Sequence, residues 1–353
     1  MSERWPTLVL GGSGYVAGEL IRLTAGHPDL DLRACMSSSL PGERVAASFP
    51  HLLPAVGALR FDDLEGVLDQ FKRDEHWAVL AAAPHLISAP LLEQVVAAAE
   101  AAGSRLSLVD ASADFRFSDA EAFQSVYGEP HGAPELLSQF YCGLPEHSTS
   151  VATPYVSHPG CFATAMLLGI VPLAESGLSE SRYFVTGITG STGSGRAPKP
   201  TTHHPERQSN LFAYKPLQHR HAPEVRALAR AASGTDISLH FVPHSGPFAR
   251  GIHATIHAPL KQATSTAQLR DLLTGYYRDA HFVSVSEGMP RLKDVAGSNY
   301  AAIGVAADDQ TAVIVCVIDN LLKGAAGGAV QWLNRLLGVP EQRGLSSPAI
   351  GWL

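Results

Sequence analysis

The chain has 353 residues, enough for two domains of ordinary size. It is 45% hydrophobic and 17% charged, which excludes an intrinsically disordered chain. The net charge of −7, without a long basic run, argues against nucleic acid as the main partner, because phosphate contacts require clustered Lys and Arg. The four cysteines form no CxxC pair, and no stretch reaches the ~20 apolar residues of a membrane span. We therefore expect a soluble cytoplasmic protein whose partner is neither a nucleic acid nor a membrane.

Predicted strands and helices alternate in the first half of the chain. Apolar runs predict the strands, and apolar spacing of three and four residues predicts the helices, which glycines close. The predicted strands are 7–10, 30–38, 76–84 and 105–115, and the predicted helices are 16–25 and 87–102. This alternation predicts an α/β fold with a doubly wound parallel sheet, a Rossmann domain.

After Cys161 the predicted strands follow one another with few helices between them. The strand-like segments are 182–190, 236–245, 251–260 and 311–319, with one helix at 266–280 and a last helix at 320–338. Runs of strands of this kind predict an α+β domain with a largely antiparallel sheet covered on one side.

The first predicted turn carries a glycine motif. It fits G-x-G-x-x-A and consists of Gly11, Gly12, Ser13, Gly14, Tyr15, Val16 and Ala17. The motif follows a strand and opens a helix, the context in which glycines let the backbone approach a pyrophosphate at a helix N-terminus. The alternative is an ordinary glycine-rich turn.

Serines end the next predicted strand. Ser37, Ser38 and Ser39 lie where an acidic residue would bind the ribose hydroxyl of NAD, and Arg44 follows. Hydroxyl groups with a nearby arginine suit a 2′-phosphate. The sequence therefore predicts NADP (NADPH) as the cofactor in preference to NAD.

Cys161 lies at the start of an apolar helical run, directly after Pro159 and Gly160. At a helix N-terminus a thiolate is favoured by the positive end of the helix dipole and by N–H groups, which can also hold an oxyanion. Cys161 is therefore a candidate nucleophile, the alternative being a small residue packed at a domain junction. Cys35 and Cys316 lie in apolar strands and are expected in the core.

Histidines provide candidate proton partners for the thiolate. His219, Arg220, His221 and Glu224 lie within six residues. In an extended segment the two imidazoles would point the same way, and Glu224 could orient one of them. A second pair, at 203 and 204, raises a metal site as an alternative, although no HExxH motif occurs.

Two further segments are candidate ligand sites. The glycine-rich loop 187–196 ends in Arg196, and its N–H groups with that arginine suit a phosphate or carboxylate, unless it is a mobile surface loop. Asp110, Asp114 and Arg116 follow a strand of the parallel sheet, at the edge where such folds bind ligands. A local salt bridge is the alternative there.

The motifs together resemble the N-acetyl-gamma-glutamyl-phosphate reductase family of arginine biosynthesis, which is related to aspartate-semialdehyde dehydrogenase. The resemblance covers nearly the whole chain and rests on GGSGYVAGEL, AAAPH, DASADFR, GLPE, HPGCFATA, GSTGSGR, HRHAPEV and IDNLLKGAAGGAVQ. Two departures, His158 for the usual Asn and Phe162 for the usual Tyr, leave the nucleophile untouched. The insert at 197–216 also resembles the lysine-biosynthesis branch, which reduces a carrier-bound aminoadipyl phosphate.

The resemblance implies an NADPH-dependent, phosphorylating semialdehyde dehydrogenase that works through a cysteine thioester and forms a homodimer or homotetramer. It implies a catalytic Cys161 and an acid/base histidine, His219 first and His221 second. No metal is expected, because no HExxH motif occurs and the thiolate and nicotinamide chemistry already uses these groups. The expected cofactor residues are Gly11, Gly12, Ser13, Gly14, Tyr15, Val16, Ser37, Ser38, Ser39, Ala83, Pro84, Gly193 and Asn320. The expected substrate residues are Arg116, Ser191, Arg196, Arg220 and Glu224.

The expected domains are an NADP-binding domain at 1–157, a catalytic and oligomerisation domain at 158–319, and a C-terminal helix and tail at 320–353 that return to the cofactor domain. Two functions outside this family stay open. A cysteine–histidine hydrolase would have no use for the glycine loop. A non-enzymatic NADP-binding regulator would have an unreactive Cys161.

Overall fold

The computed structural model describes residues 4–352 and divides into two compact units. The first unit contains the chain up to Pro145, Thr149–Pro159 and Ala325–Ser346. The second contains Glu146–Ser148, Gly160–Gly324 and the residues from Ser347 onward.

The first unit is built on a parallel sheet of seven strands in the order β3-β2-β1-β4-β5-β7-β6, counted over the described residues. The strands are β1 (Trp5–Leu10), β2 (Leu30–Met36), β3 (Phe61–Asp62), β4 (His76–Ala81), β5 (Arg105–Asp110), β6 (Phe140–Cys142) and β7 (Tyr155–Ser157). The order reverses between β1 and β4, the switch point at which doubly wound sheets bind their ligands. The predicted Rossmann sheet is confirmed.

Helices cover both faces of this sheet. They are α1 (Tyr15–Ala25), α2 (Val45–Ser48), α3 (Leu53–Val56), α4 (Leu64–Leu68), α5 (Ser88–Ala102), α6 (Ala120–Tyr127) and α11 (Gly327–Leu336). Leu8, Val79 and Leu108 form a core with α5, whereas α1 and α11 contact each other and pack on strands of the sheet. Successive side chains of a strand point to opposite faces, so both faces contribute to the core.

The second unit contains the other sheet, with the strand order β12-β13-β14-β11-β8-β10-β9 among the residues described. The strands are β8 (Arg182–Thr189), β9 (Phe212–Ala213), β10 (Ser238–Ser245), β11 (Ile252–Pro259), β12 (Val283–Val285), β13 (Ala301–Ala307) and β14 (Thr311–Ile318). The largely antiparallel character is confirmed, although β8–β10 and β12–β13 pair in parallel. Neither β12 nor β13 was predicted from the sequence, because β12 has only three residues and β13 is rich in Ala, a weak strand former.

One long helix fixes the position of the cysteine in this unit. The helices are α7 (Cys161–Ser176), α8 (His204–Arg207), α9 (His221–Ser233) and α10 (Thr266–Tyr276). Helix α7 packs on β11 and β14, so closely that a Cβ at Gly169 would lie 2.5 Å from Ile256. Along β8, side chains alternate between exposed and buried, as expected for a sheet covered on one side.

The last predicted helix, 320–338, is wrong in its first part. Leu322–Ala326 forms a π-helical turn, and the α-helix itself spans Gly327–Leu336. Gly324 lies in this turn and weakens the α-helical preference there. Within residues 4–352, no helix is both long enough and apolar enough to cross a membrane.

Candidate active site

The glycine loop of the first unit is pressed against the ends of two neighbouring strands. Gly11 has a φ of +94°, which favours glycine, and a Cβ there would lie 2.5 Å from the main chain of Ala82 and Ala83. A Cβ at Gly12 would lie 2.4 Å from the Cβ of Ser37. The loop is therefore brought against two of the predicted cofactor segments, the ends of β2 and β4. After β4, Ala83 is buried and Pro84 is exposed.

Helix α1 begins beside open space. Gly14 is its N-cap residue and has no side chain that could cap the helix. A Cβ at Gly14 would meet no atom of residues 4–352 within 4 Å. Ser13 and Val16 are half-buried, and Tyr15 is exposed. A helix N-terminus with N–H groups facing such a space fits the pyrophosphate of a dinucleotide.

The three serines lie at the end of β2. Ser37 is buried, its Oγ lies 3.4 Å from the Oγ of Ser39, and both Ser38 and Ser39 are exposed. Arg44 is exposed just before α2. Hydroxyl and guanidinium groups are of the kind that bind a phosphate, and the preference for NADP stays a prediction.

The acidic segment after β5 stabilises its own loop. The buried carboxylate of Asp114 accepts the N–H groups of Leu86 and Ala89 at the start of α5. Asp110 accepts bonds from Ser88 and Ser112, and burial raises its pKa to about 6.

Arg116 contacts main-chain oxygens. Its guanidinium is buried and donates to the carbonyl oxygens of His158 and Ala111. These contacts stabilise the loop, and the role of Arg116 in substrate binding stays a prediction.

Cys161 is the first residue of α7. Gly160, the N-cap residue, is extended, with φ −64° and ψ 156°, and its carbonyl accepts the first helical bond, from the Thr164 N–H. The Cys161 side chain is half-buried. The predicted place at a helix N-terminus is confirmed. The N–H groups of the first turn of an α-helix have no hydrogen-bond acceptor within the helix.

Two contacts fix the backbone around Cys161. A Cβ at Gly324 would lie 2.7 Å from the Cβ of Cys161, so only glycine fits behind the cysteine. At the preceding residue, Oε1 of Glu224 accepts the N–H of Gly160 at 2.6 Å. Glu224 is fully buried.

The histidine segment is turned, and the predicted extended conformation is wrong. Positive φ angles at Lys215 and Leu217 turn the chain, and His221 is already the first residue of α9. The turn nevertheless brings the two rings together, with centroids 4.6 Å apart. Both rings lie near Phe162, the residue after the cysteine, at 5.8 and 6.3 Å.

Burial and charge keep His219 neutral. Its pKa is lowered to about 4, chiefly by burial and further by Arg220 and Lys215. Its Nδ1 accepts the His221 N–H at 3.2 Å, so the neutral ring carries its proton on Nε2. Arg220 is exposed beside this pair.

Tyr214 belongs to the same cluster, although the sequence analysis did not identify it. Its ring lies 5.7 Å from that of His219. Burial raises the pKa of Tyr214, the Cys161 thiolate raises it further, and Arg220 lowers it. An aromatic residue five positions before the HRH motif is the only local signal that could have indicated it.

The second glycine loop meets the segment of Asn320. The Asn320 side chain donates to the Thr192 hydroxyl at 3.0 Å and accepts the Gly251 N–H at 2.7 Å. A Cβ at Gly193 would lie 4.0 Å from the Asn320 amide nitrogen. Ser191 begins a short 3-10 helix, and Arg196 beyond it is exposed. The structure thus brings together two of the predicted cofactor residues, Gly193 and Asn320.

Within the described part of the chain, the second histidine pair does not belong to a group of side chains that could hold a metal ion. His203 and His204 are exposed before and within α8. Among residues 4–352, no group of three or more His, Cys, Asp and Glu side chains is arranged to hold a metal ion.

Comparison with known families defines the class of protein. Residues 7–150 match the model of the semialdehyde dehydrogenase NAD-binding domain, and residues 161–320 match the semialdehyde dehydrogenase dimerisation domain. Aspartate semialdehyde dehydrogenase II from Vibrio cholerae has the same fold, with a TM-score of 0.69 and 15% identity over 95% of this chain and 99% of that chain.

Curated relatives narrow the family further. The N-acetyl-gamma-glutamyl-phosphate reductase of Methanopyrus kandleri is 36% identical over 96% of this chain and 97% of its own length. The enzyme of that name from Pseudomonas aeruginosa is 38% identical over 97% of this chain and 98% of its own length. The chain belongs to the N-acetyl-gamma-glutamyl-phosphate reductase family.

Proposed function

We propose that this protein reduces N-acetyl-gamma-glutamyl phosphate to N-acetylglutamate 5-semialdehyde and phosphate with NADPH, a step of arginine biosynthesis. The observation that carries the proposal is Cys161 at the N-terminus of α7, with two histidine rings packed beside the next residue. The relatives that carry the reductase name match nearly the whole chain.

Cys161 is the nucleophile. The helix N-terminus favours its thiolate, and N–H groups of the first turn can hold the oxyanion that forms on the attacked carbonyl. The sulfur forms a bond to the acyl carbon, and the bond from that carbon to the phosphate oxygen breaks, so phosphate leaves with the electron pair. The thioester is a better hydride acceptor than a carboxylate would be.

NADPH would be held by the glycine loop at 11–16, with Ser37, Ser38 and Ser39 around the 2′-phosphate. The open space before α1 and the exposed hydroxyls fit these parts of the cofactor. Ala83, Pro84, Gly193 and Asn320 complete the proposed contacts. When bound, NADPH would supply the hydride to the acyl carbon of the thioester, and breakage of the carbon–sulfur bond would release the semialdehyde and return the Cys161 thiolate.

The histidine pair moves the protons, and His219 is our first choice. In the uncharged site its pKa of about 4 keeps it neutral. An anionic acyl phosphate beside it would raise that pKa, because opposite charge favours the imidazolium. His219 could then protonate the departing group, with His221 as the second choice.

Arginines at the edge of the site suit an anionic substrate. Arg196 and Arg220 are exposed, as a ligand contact requires, and guanidinium groups bind phosphate and carboxylate in bidentate fashion. Ser191 is half-buried in the same glycine loop as Arg196. Arg116 stays a proposed substrate residue through the family resemblance alone, because its contacts are to main-chain oxygens. The same resemblance implies Glu224, but its carboxylate is fully buried and bonded to the Gly160 N–H, so we do not place it against the substrate.

The open face of the second sheet suits a second copy of the chain. Phe184 is 44% exposed and stacks on His240, and His257 lies in register on its other side. The matched domain is described as a dimerisation domain. We propose a homodimer or homotetramer that covers this face. A monomer mass in sedimentation equilibrium at micromolar protein concentration would contradict it.

The decisive experiment runs the reaction backward. N-acetylglutamate 5-semialdehyde without any carrier protein should reduce NADP only when phosphate is present. A reaction that needs a carrier-linked semialdehyde would replace the arginine assignment by the lysine-type one. Reduction of NADP that proceeds equally well without phosphate would overturn the proposed acyl-phosphate chemistry. Hydrolysis of N-acetyl-gamma-glutamyl phosphate as the main reaction, without any cofactor, would overturn it as well.

A further inference from the structure

Glu224 has a position that substrate binding does not explain. Its side chain exposes 0% of its surface, which is rare for a glutamate unless the carboxylate is bonded. Oε1 is bonded to the main-chain N–H of Gly160, 2.6 Å away. A substrate contact requires an atom that the substrate can reach, and a fully buried side chain held by the backbone does not offer one.

We propose that Glu224 is a positioning residue, which ties the turn that carries Cys161 to the helix that begins with the histidines. Glu224 lies in the first turn of α9, three residues after His221, with which the helix begins. Helix α9 packs against α7, whose first residue is Cys161. One carboxylate therefore joins the two helix ends that supply the nucleophile and the proton donor.

The turn needs this contact because of its sequence. Gly160 has no side chain to cap α7 or to pack against a neighbour, and glycine has the greatest backbone freedom of any residue. The bond from Glu224 restrains the Gly160 peptide. Gly324 restrains the next residue, since a Cβ at Gly324 would lie 2.7 Å from the Cβ of Cys161.

The contact also matches the electrostatics of both helices. A carboxylate near two helix N-termini is favoured by both dipoles. Glu224 accepts the N–H of the N-cap residue Gly160, so the N–H groups further into α7 remain available for the sulfur and the oxyanion. Loss of the bond would let the first turn move, and a displacement of about 1 Å can cost about a hundredfold in rate.

The test compares two neutral variants. Glu224→Gln keeps an oxygen acceptor at the same place, whereas Glu224→Ala removes it, and Arg226→Ala, on the exposed side of the same helix, is the matched control. We expect Glu224→Ala to lower kcat about 10- to 100-fold with little change in KM. Glu224→Gln should recover most of that loss, and Arg226→Ala should behave as the wild type.

A second readout needs neither substrate nor cofactor. The rate of iodoacetamide labelling of Cys161 is measured against pH in each variant. Because both variants are uncharged at position 224, a difference between them reports the hydrogen bond and not the charge. The midpoint for Glu224→Ala should lie about half a pH unit above that for Glu224→Gln, since a loosened turn stabilises the thiolate less.

Several results would overturn the positioning role. Coincident labelling midpoints with equal kcat values would do so, as would a raised KM with unchanged kcat, which marks a substrate contact. If Glu224→Ala does not fold, Glu224→Asn replaces it, because it is also uncharged and withdraws the oxygen by one methylene relative to Gln. A kcat and a labelling profile equal to those of Glu224→Gln would then overturn the role.

The inference rests on the proposed function, in which Cys161 is the nucleophile, yet the two fail separately. Full turnover by Cys161→Ser would overturn the function. Identical labelling of the Ala and Gln variants at 224 would overturn only the positioning role.

Discussion

The N-termini of α1 and α7 are alike in sequence and opposite in surroundings. Each helix follows a glycine N-cap that has no side chain to satisfy the helix end. A Cβ at Gly14 would meet no described atom within 4 Å, whereas Gly160 is bonded to Glu224 and Cys161 is backed by Gly324. An open helix end can accept a bound anion, and an enclosed one can hold a side chain in a fixed position.

The largest expected effect is a loss of turnover at the start of α7 without a loss of cofactor binding at the start of α1. Cys161→Ser should lower kcat by at least about a thousandfold, because the nucleophile is lost, while the dissociation constant of NADPH stays unchanged. Initial rates and NADPH fluorescence titration measure the two quantities. Iodoacetamide should label Cys161 fastest, since burial raises the pKa of Cys35 and Cys316 to about 12.

Cys142→Ser, at a half-buried thiol, is the control for that experiment. Substantial activity in Cys161→Ser would contradict the thioester chemistry.

The second effect tests the histidines at the enclosed end. His219→Asn should slow turnover about a hundredfold, the scale of general acid–base catalysis. A folded-enzyme pKa of about 4 means that His219 stays neutral as the pH falls toward that value. His219 should therefore add no inflection to the pH profile of kcat/KM between about pH 5 and 7, and the wild-type and His219→Asn profiles should have the same shape in that range.

An inflection near the ordinary histidine pKa that is present in the wild type and absent from His219→Asn would contradict the neutral state of His219. If His221→Asn alone slows the reaction, the roles within the pair are reversed.

The third prediction concerns two Gly→Ala substitutions, each of which adds one methyl group beside a helix N-terminus, at α7 and at α1. Gly324→Ala forces a Cβ to within 2.7 Å of the Cys161 Cβ and should lower kcat about 10- to 100-fold. Gly14→Ala, at φ −79°, causes no backbone strain and should leave the free energy of unfolding within ~0.5 kcal/mol. Its methyl occupies the proposed pyrophosphate space, so the KM for NADPH should rise about tenfold.

Steady-state kinetics of the two variants measure kcat and the KM for NADPH, and thermal unfolding measures their stability. The contrast is lost if Gly14→Ala lowers kcat without raising the KM for NADPH, or if Gly324→Ala keeps the wild-type kcat.

The smallest effect concerns the cofactor end alone. Ser38→Asp places a carboxylate on the exposed serine next to the proposed 2′-phosphate. Repulsion should weaken NADPH binding by about tenfold and leave NADH binding nearly unchanged, with Ser38→Ala as the control. Equal dissociation constants of NADPH and NADH in the wild type would show that the serines do not select the cofactor.

Local patterns predicted much of this architecture. A strand, a glycine turn and a helix in succession predicted the β1–α1 loop, and an apolar run after Pro-Gly predicted Cys161 at a helix start. The conformation of the histidine segment was not predictable, because positive φ at Lys215 and Leu217, neither of them glycine, has no sequence signature.

Contacts between distant parts of the chain were also beyond the sequence. Glu224 and Gly160 are 64 residues apart, and the approach of Gly324 to Cys161 depends on a π-helical turn that was expected to be a regular helix. Tyr214 shows the same limit, since its place beside His219 follows from tertiary packing.

The most direct measurement is the mass of the tryptic peptides after the protein meets N-acetyl-gamma-glutamyl phosphate without NADPH and is quenched in acid. We predict one N-acetylglutamyl group on the peptide that contains Cys161. Hydroxylamine should remove the group from the peptide, and it should be absent when NADPH is added before the quench and in Cys161→Ser. An unmodified Cys161, or an acyl group on another residue, would contradict it.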